Sequence, residues 1–260
     1  MAKAGIKAFL LNPTKTTAKQ ILSLRPTEPL LQNALKSIQK FNKVSKELKQ
    51  YQSKIQKQAA NKFLKDLKES HEKIAELGAS LIKNDMNIYS HCHSSTVMDI
   101  LKLAKKKKKK FTVYTTEVEP LLQGHKTAKD LAKSRIKTII APDLAAEQML
   151  SKCDLFLFGA DAFTKSEVAN KIGTSTLTKL AKIHKVPIYS CGVSLKFTKK
   201  ITIQKRSGKE VWDERNKNIE VTNLPFDKTK LKDLTGIISE HGILKQKEFA
   251  RKAKRKLINM

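Results

Sequence analysis

The chain has 260 residues, of which 40% are hydrophobic, so it can bury a core as one or two domains. No apolar run approaches the roughly 18 residues of a transmembrane helix, and the start MAKAGIKAFLLNPTK lacks the pattern of a secretory signal. No membrane association is therefore expected. The three scattered cysteines, Cys92, Cys153 and Cys191, predict no disulfide framework and favour a reducing cytoplasm.

The formal net charge of +29 suggests nucleic-acid binding, but the residues that carry this charge argue against recognition of a specific nucleic-acid sequence. Only six of the 53 basic residues are arginine, and base and phosphate readers rely on arginine. The lysines are spread along the chain, and the one dense run, residues 105–110, is expected to be a solvated turn. Loose, salt-sensitive binding to RNA stays open.

The N-terminal part, residues 1 to about 80, predicts helices. Thr27, Glu28 and Pro29 begin a segment whose apolar residues at 30, 31, 35, 38 and 41 follow helical spacing. Residues 43–77 continue with sparse apolar positions among Lys, Glu and Gln, and Gly78 is a plausible stop. We expect a small helical domain over residues 1–80.

After Gly78 the pattern changes to short apolar runs that alternate with amphipathic segments, which predicts a parallel sheet with right-handed crossovers. We therefore expect a Rossmann-like α/β domain over residues 81–260. The predicted strands are 87–90, 111–116, 138–141, 155–158 and 188–190, and the predicted helices are 97–105, 128–134, 145–151 and 168–184. Beyond them we expect a strand pair near 201–204 and 209–212, a loop at 223–227 and two helices, the last at 245–257.

Residues 87–102, NIYSHCHSSTVMDILK, are the most informative stretch. A short strand leads through Cys92 into a helix whose first turn holds Ser94, Ser95 and Thr96. Serine and threonine cap helix N-termini, where free N–H groups and the helix dipole attract anions. The pattern predicts a phosphate cradle beside a reactive thiol, although Cys92 as a small buried filler is the alternative.

Polar residues also follow each predicted strand: Cys92, Glu117, Asp143, Asp161 and Cys191. Ligands of open parallel sheets bind outside the carboxyl ends of the strands, so we expect these side chains to meet at a small-molecule site. Strand ends are also polar simply because they emerge into solvent.

Further residues fit such a crevice. Gln123 follows the second strand, Asp161 ends the fourth and can transfer a proton, and Asn170 and Lys171 at a helix start suit a phosphate or a sugar hydroxyl. The sequence has no dinucleotide or P-loop glycine motif and no nucleophile elbow. His91, Cys92 and His93 cannot all bind one metal from a strand, because neighbours point to opposite faces; we predict no metal.

Five segments in order, SHCHSST, VYTTEVEPLLQG, LFGAD, VANKIGT and NLPFDKT, resemble the family of translation initiation factor 2B alpha, beta and delta subunits. That family includes the methylthioribose-1-phosphate and ribose-1,5-bisphosphate isomerases. The resemblance covers about residues 85–240, and RPTEPLLQNAL, from Arg25 onward, resembles the family's helical N-terminal domain. It implies that domain followed by a Rossmann-like parallel sheet, usually in dimers or larger assemblies.

The resemblance also implies site residues. In the isomerases, a cysteine and the aspartate of a G-A-D motif form the catalytic pair, which match Cys92 and Asp161 here. By the same matching, Gln123, Asn170 and Lys171 bind the substrate's hydroxyls and phosphate. The H-C-H-S form resembles the ribose-1,5-bisphosphate branch.

The leading hypothesis is an isomerase that converts ribose 1,5-bisphosphate to ribulose 1,5-bisphosphate without a metal or redox cofactor. The amides of Ser94, Ser95 and Thr96, together with Lys171, are expected to hold phosphates, and the protein is expected to form homo-oligomers. The alternative is a non-catalytic initiation factor 2B-like subunit that binds initiation factor 2 or another protein.

Overall fold

The computed structural model describes residues 2–24, 27–39, 52–214 and 216–259. The N-terminal part is helical, as predicted, and α3 begins at Pro29, directly after Thr27 and Glu28. Its helices are α1 (Ala2–Leu11), α2 (Lys15–Leu24), α3 (Pro29–Gln39) and α4 (Gln52–Leu81). Two parts of the predicted helical stretch lie outside the described residues. They are Arg25 and Pro26, at the start of the RPTEPLLQNAL segment, and residues 40–51.

Gly78 is not the helix stop that the sequence predicted, because α4 continues to Leu81. A Cβ atom at Gly78 would lie 2.5 Å from the Ile100 side chain of the next helix. The glycine is therefore explained by close packing of two helices and not by a C-terminal cap.

All five predicted parallel strands are confirmed and are neighbours in one sheet of seven strands. The strands are β1 (Met86–His91), β2 (Phe111–Thr116), β3 (Lys137–Ala141), β4 (Leu155–Gly159), β7 (Ile188–Cys191), β9 (Gly236–Ser239) and β10 (Gly242–Leu244). Their order in the sheet is β10-β9-β7-β4-β1-β2-β3, and of these seven only β10 is antiparallel to its neighbour. The crossover helices are α5 (Ser95–Lys106), α6 (Gln123–Lys133), α7 (Ala146–Leu150) and α8 (Thr174–Ile183).

Both faces of the sheet are covered. Leu155 and Leu157 of the central strand β4 join a core that also contains Leu35 and Ile74 of the N-terminal helices. Phe156 and Phe158 point to the opposite face and join a second core. This alternation produces the continuous apolar run that is typical of a buried parallel strand. The N-terminal helices thus share one core with the sheet.

A small antiparallel sheet of three strands differs from the prediction. Its strands are β5 (Ala162–Phe163), β6 (Glu167–Lys171) and β8 (Phe226–Lys230), in the order β5-β6-β8. The prediction of a helix over 168–184 is wrong in its first turn, because residues 168–171 pair with β8 and the helix begins only at Thr174. The predicted loop at 223–227 is likewise wrong at its end, since β8 begins at Phe226.

The predicted strand pair at 201–204 and 209–212 is also wrong. Residues 201–207 belong to no strand or helix, and Gly208–Glu210 is a 3-10 turn. Of the two C-terminal helices predicted, the described residues contain one, α9 (Gln246–Asn259), with a 3-10 turn at Leu231–Asp233. Helix α9 packs on the protein, because Phe249 and Ala253 are completely buried.

Candidate active site

A cavity of about 310 Å³ opens at the carboxyl ends of β1 and β4. Asp161 follows β4 and Lys171 ends β6, and both approach the cavity from the small sheet. The cavity wall contains the seven residues that the sequence predicts to be catalytic or substrate-binding: Cys92, Ser94, Ser95, Gln123, Asp161, Asn170 and Lys171. One site-sized volume is therefore lined by a thiol, a carboxylate, two amides, an ammonium and a helix N-terminus.

Cys92 connects β1 to α5 and is half-buried. Its φ of 65° is in the left-handed region, which non-glycine residues rarely adopt and which is concentrated at functional sites. Burial raises the pKa of its thiol to about 11, although a hydrogen bond from the backbone of His93 opposes this effect. The side chain is consequently a protonated thiol at neutral pH, suited to giving a proton to a ligand.

The N-terminus of α5 forms the next part of the wall. Ser94 caps the helix, since its Oγ accepts a hydrogen bond of 3.4 Å from the Val97 amide. Ser95 begins the helix and also lines the cavity. The helix has 12 residues, so its first turn directs free N–H groups and the positive end of a full dipole at the cavity.

Asp161 is fixed by its backbone. Its amide donates a hydrogen bond of 2.8 Å to the Ala169 carbonyl, which ties the turn after β4 to the small sheet. The small sheet therefore orients both residues, because Asp161 directly precedes β5 and Lys171 ends β6.

Asn170 and Lys171 lie on β6, and not at a helix start as predicted. Both are buried; the Asn170 amide donates a 3.0 Å hydrogen bond to Thr174 Oγ1. Burial lowers the pKa of Lys171, whereas the nearby Cys92 raises it. The first turn of α8 behind them is capped by Asp227, which accepts hydrogen bonds of 3.0 Å from the Gly173 and Ser175 amides.

Three of the five predicted strand-end residues do not line this cavity. Asp143 accepts hydrogen bonds of 2.9 Å from the Val118 and Glu119 amides, so its carboxylate holds a loop. Glu117 pairs with His125 at 3.0 Å. Cys191 is completely buried in the core. The expectation that all five side chains meet is therefore wrong; polar strand ends serve the backbone as well as ligands.

The histidines on either side of Cys92 point to different places. His91 is buried, contacts the Ile172 carbonyl at 3.0 Å and lines a separate cavity. His93 lines the same cavity as Cys92, and its Nδ1 lies 3.1 Å from Thr127 Oγ1. Within the described part of the chain, no three His, Cys, Asp or Glu side chains form a metal-binding group.

Two cations in the wall were missed from the sequence, Lys196 and Arg206. Lys196 donates a hydrogen bond to the Ala160 carbonyl, beside Asp161. Arg206 lies in the irregular segment after β7. The position of Lys196 soon after the fifth predicted strand could have drawn attention to it; Arg206 follows no periodic pattern.

The fold and the cavity define an α/β protein whose polar site lies at the carboxyl edge of a parallel sheet and combines a thiol, a carboxylate and anion-binding groups. None of the described helices is both long and apolar enough to cross a membrane. The sequence model that describes the initiation factor 2 subunit family matches residues 6–246, and the chain belongs to that family.

Proteins similar to this chain are named either as sugar-phosphate isomerases or as translation initiation factors. The ribose 1,5-bisphosphate isomerase of Thermococcus kodakarensis is 34% identical over 246 residues, which cover 88% of this chain and 76% of that protein. The methylthioribose-1-phosphate isomerase of Thermoanaerobacter pseudethanolicus is 33% identical over 251 residues, covering 86% and 72%. The crystal structure of the Pyrococcus horikoshii translation initiation factor eIF-2B superposes with a TM-score of 0.81 at 29% identity, covering 94% of this chain and 89% of that one.

Proposed function

We propose that this protein is an isomerase that converts a phosphorylated aldose to a ketose, with ribose 1,5-bisphosphate as substrate and ribulose 1,5-bisphosphate as product. The observation that carries the proposal is the shared cavity of Cys92, Asp161, Lys171 and the α5 N-terminus. Similarity to isomerases named for ribose 1,5-bisphosphate and methylthioribose 1-phosphate supports the reaction class.

The reaction rearranges hydrogen within one sugar. A 1-phosphate blocks simple opening to a free aldehyde, so the bond from C1 to the ring oxygen breaks with assistance and that oxygen gains a proton. The hydrogen on C2 is lost and one is added at C1, while the C2 hydroxyl releases its proton and becomes the ketone. The changes balance within the substrate, so no oxidant or reductant is consumed.

The two candidate catalytic groups suit different steps. The raised pKa of the Cys92 thiol keeps it protonated, which fits the acid at the ring and C1 region. Asp161 is the group proposed to manage the proton of the C2 hydroxyl. Gln123 and the buried Asn170 amide are proposed to contact the sugar hydroxyls, and Lys171 and the α5 N-terminus to hold phosphate.

The cavity's charge also suits a phosphorylated ligand. Lys171, Lys196 and Arg206 line it, against the carboxylate of Asp161. A phosphate monoester carries roughly −1.5 to −2 at neutral pH, so a sugar bisphosphate carries roughly −3 to −4. Such a ligand offsets the positive wall.

A homo-oligomer in the cytoplasm is part of the same proposal. The edge strand β3 and the turn after it expose Ile139, Ile140 and Leu144, the last completely. An apolar edge strand is a typical surface for a second copy of a chain. The three free cysteines fit a reducing compartment.

The alternative function is a non-catalytic subunit that binds initiation factor 2 or another protein, and the likeness to the Pyrococcus horikoshii eIF-2B structure favours it. Incubating the purified protein with ribose 1,5-bisphosphate and, separately, with methylthioribose 1-phosphate distinguishes the two functions. Formation of ribulose 1,5-bisphosphate supports the proposed reaction, and turnover of only the methylthio sugar would change the substrate. A folded protein that converts neither would favour the binding subunit.

A further inference from the structure

Arg206 is the one arginine among the described residues of the cavity wall. It lies in the segment between β7 and β8, outside every helix and strand. Its side chain is 46% exposed, so the guanidinium lies where the cavity meets solvent.

Contacts within the loop fix this side chain. Arg206 Nη2 pairs with Glu210 Oε1 at 2.5 Å, and the other Glu210 oxygen accepts a 3.0 Å hydrogen bond from the Asn223 amide. The backbone amide of Arg206 donates to the Asn223 carbonyl at 3.3 Å. Asn223 is only 4% exposed, so these contacts tie the Arg206 side chain to a buried residue. A guanidinium has five N–H donors in a fixed plane, and others remain for a ligand.

Lys171 lies close enough for the two cations to affect each other. Burial is the main reason that the pKa of Lys171 is lowered, and the positive charge of Arg206 lowers it further. Lys171 ends β6 opposite Phe226, three residues after Asn223, and both cations line the cavity. Two repelling cations in the wall of one cavity attract an anion.

Resting on the proposed function, we propose that Arg206 and Lys171 together hold one phosphate of the sugar bisphosphate, while the N-terminus of α5 holds the other. Arg206 thereby makes the site prefer substrates with two phosphates over those with one. An arginine suits this task because its planar donors match phosphate oxygens in pairs.

Binding measurements test this assignment independently of turnover. We would titrate the wild type, Arg206→Gln and Lys205→Gln with ribulose 1,5-bisphosphate, ribulose 1-phosphate and ribulose 5-phosphate by calorimetry. Lys205→Gln is the matched control. Lys205 is exposed and does not line the cavity, and its substitution removes the same charge as Arg206→Gln. Arg206→Lys shows whether a point charge can replace the planar donors.

We expect Arg206→Gln to weaken the bisphosphate and one of the two monophosphates by about 10- to 100-fold, the range for hydrogen bonds to charged groups. The other monophosphate should change less than about twofold, Lys205→Gln should leave all three unchanged, and Arg206→Lys should recover only part of the loss. Equal weakening of all three ligands, no weakening, or a wild type that binds none of them would overturn the assignment. Binding with this pattern but without turnover would instead refute the isomerase and retain the phosphate site.

Discussion

A Cβ atom on Gly159 would lie 2.4 Å from the Ser94 hydroxyl oxygen, so the end of β4 directly supports the residue that caps α5. Real Cβ atoms do not approach another atom so closely, and a side chain at residue 159 would push the cap away. The position of the α5 N-terminus, which we propose to hold phosphate, therefore depends on a glycine at the end of β4. The LFGAD motif contributes this contact as well as Asp161.

We expect Gly159→Ala to lower the free energy of unfolding by about 1–3 kcal/mol, as overpacking does, and to weaken phosphate binding. Ser94→Gly alone should cost a few tenths of a kcal/mol, because glycine is tolerated at an N-cap. In the double variant the contact is relieved, so its loss should be smaller than the sum of the two single losses. Urea denaturation checks this cycle; simple additivity would show that the contact does not matter.

The buried His91 and the half-buried His71 predict a pH-dependent stability. Burial lowers the pKa values of His91 and His71 to about 4. Between that value and about 6.5 the unfolded chain binds the protons that the folded protein excludes, so stability falls as the pH is lowered through this window. His91→Gln should reduce the slope of the unfolding free energy against pH by about 1 kcal/mol per pH unit between pH 4.5 and 6.

His125→Gln is the control for that experiment, since His125 is a more exposed histidine paired with Glu117. An unchanged slope in His91→Gln would mean that His91 is protonated in the folded protein and finds a partner for its Nδ1. That atom has none among the described residues.

How far the sequence predicts this structure depends on how local the signal is. The run at residues 155–158 is apolar at every position, which is typical of a short strand buried on both faces, and β4 confirms this prediction. The pattern of residues 168–171 also fits a helix, and their pairing with β8 is a long-range contact that no local pattern encodes.

The candidate site shows the same division. The residues near Cys92 and Asp161 stand out because their motifs are short and contiguous. Arg206 lies in a segment without periodicity, and only the fold brings it to the cavity. Asp143 shows the opposite error. A carboxylate that follows a strand suggests a ligand contact, but the Asp143 carboxylate binds the amides of a loop instead.

Helix α8 depends on the carboxylate of Asp227, a residue of the NLPFDKT segment. We expect Asp227→Ala to lower the free energy of unfolding by about 0.5–2 kcal/mol, since it removes the acceptor for two amides of the first turn. Asp227→Asn keeps one oxygen acceptor and should lose less. Thermal unfolding compares the two variants; an alanine variant as stable as the wild type would show that water caps this helix equally well.

The lysine run at residues 105–110 is not only a solvated turn, because Lys109 donates hydrogen bonds of 2.8 and 2.5 Å to the Ala79 and Ile82 carbonyls at the end of α4. A cation at a helix C-terminus is favourable. Lys109→Met should destabilise the protein by about 1–3 kcal/mol, by the loss of charge-assisted hydrogen bonds. Lys106→Met, on the exposed side of the same run, should change stability by less than about 0.5 kcal/mol. Equal losses would argue for a general charge effect.

The most direct test of the central claim compares ribulose 1,5-bisphosphate formation from ribose 1,5-bisphosphate by the wild type and by Cys92→Ser. Circular dichroism and thermal unfolding establish that the variant is folded. Serine keeps the size of the side chain but is a far weaker acid, so turnover should fall by about 100-fold or more, the contribution typical of general acid catalysis. A folded Cys92→Ser protein with wild-type turnover would contradict the account, because the thiol would then have no part in the chemistry.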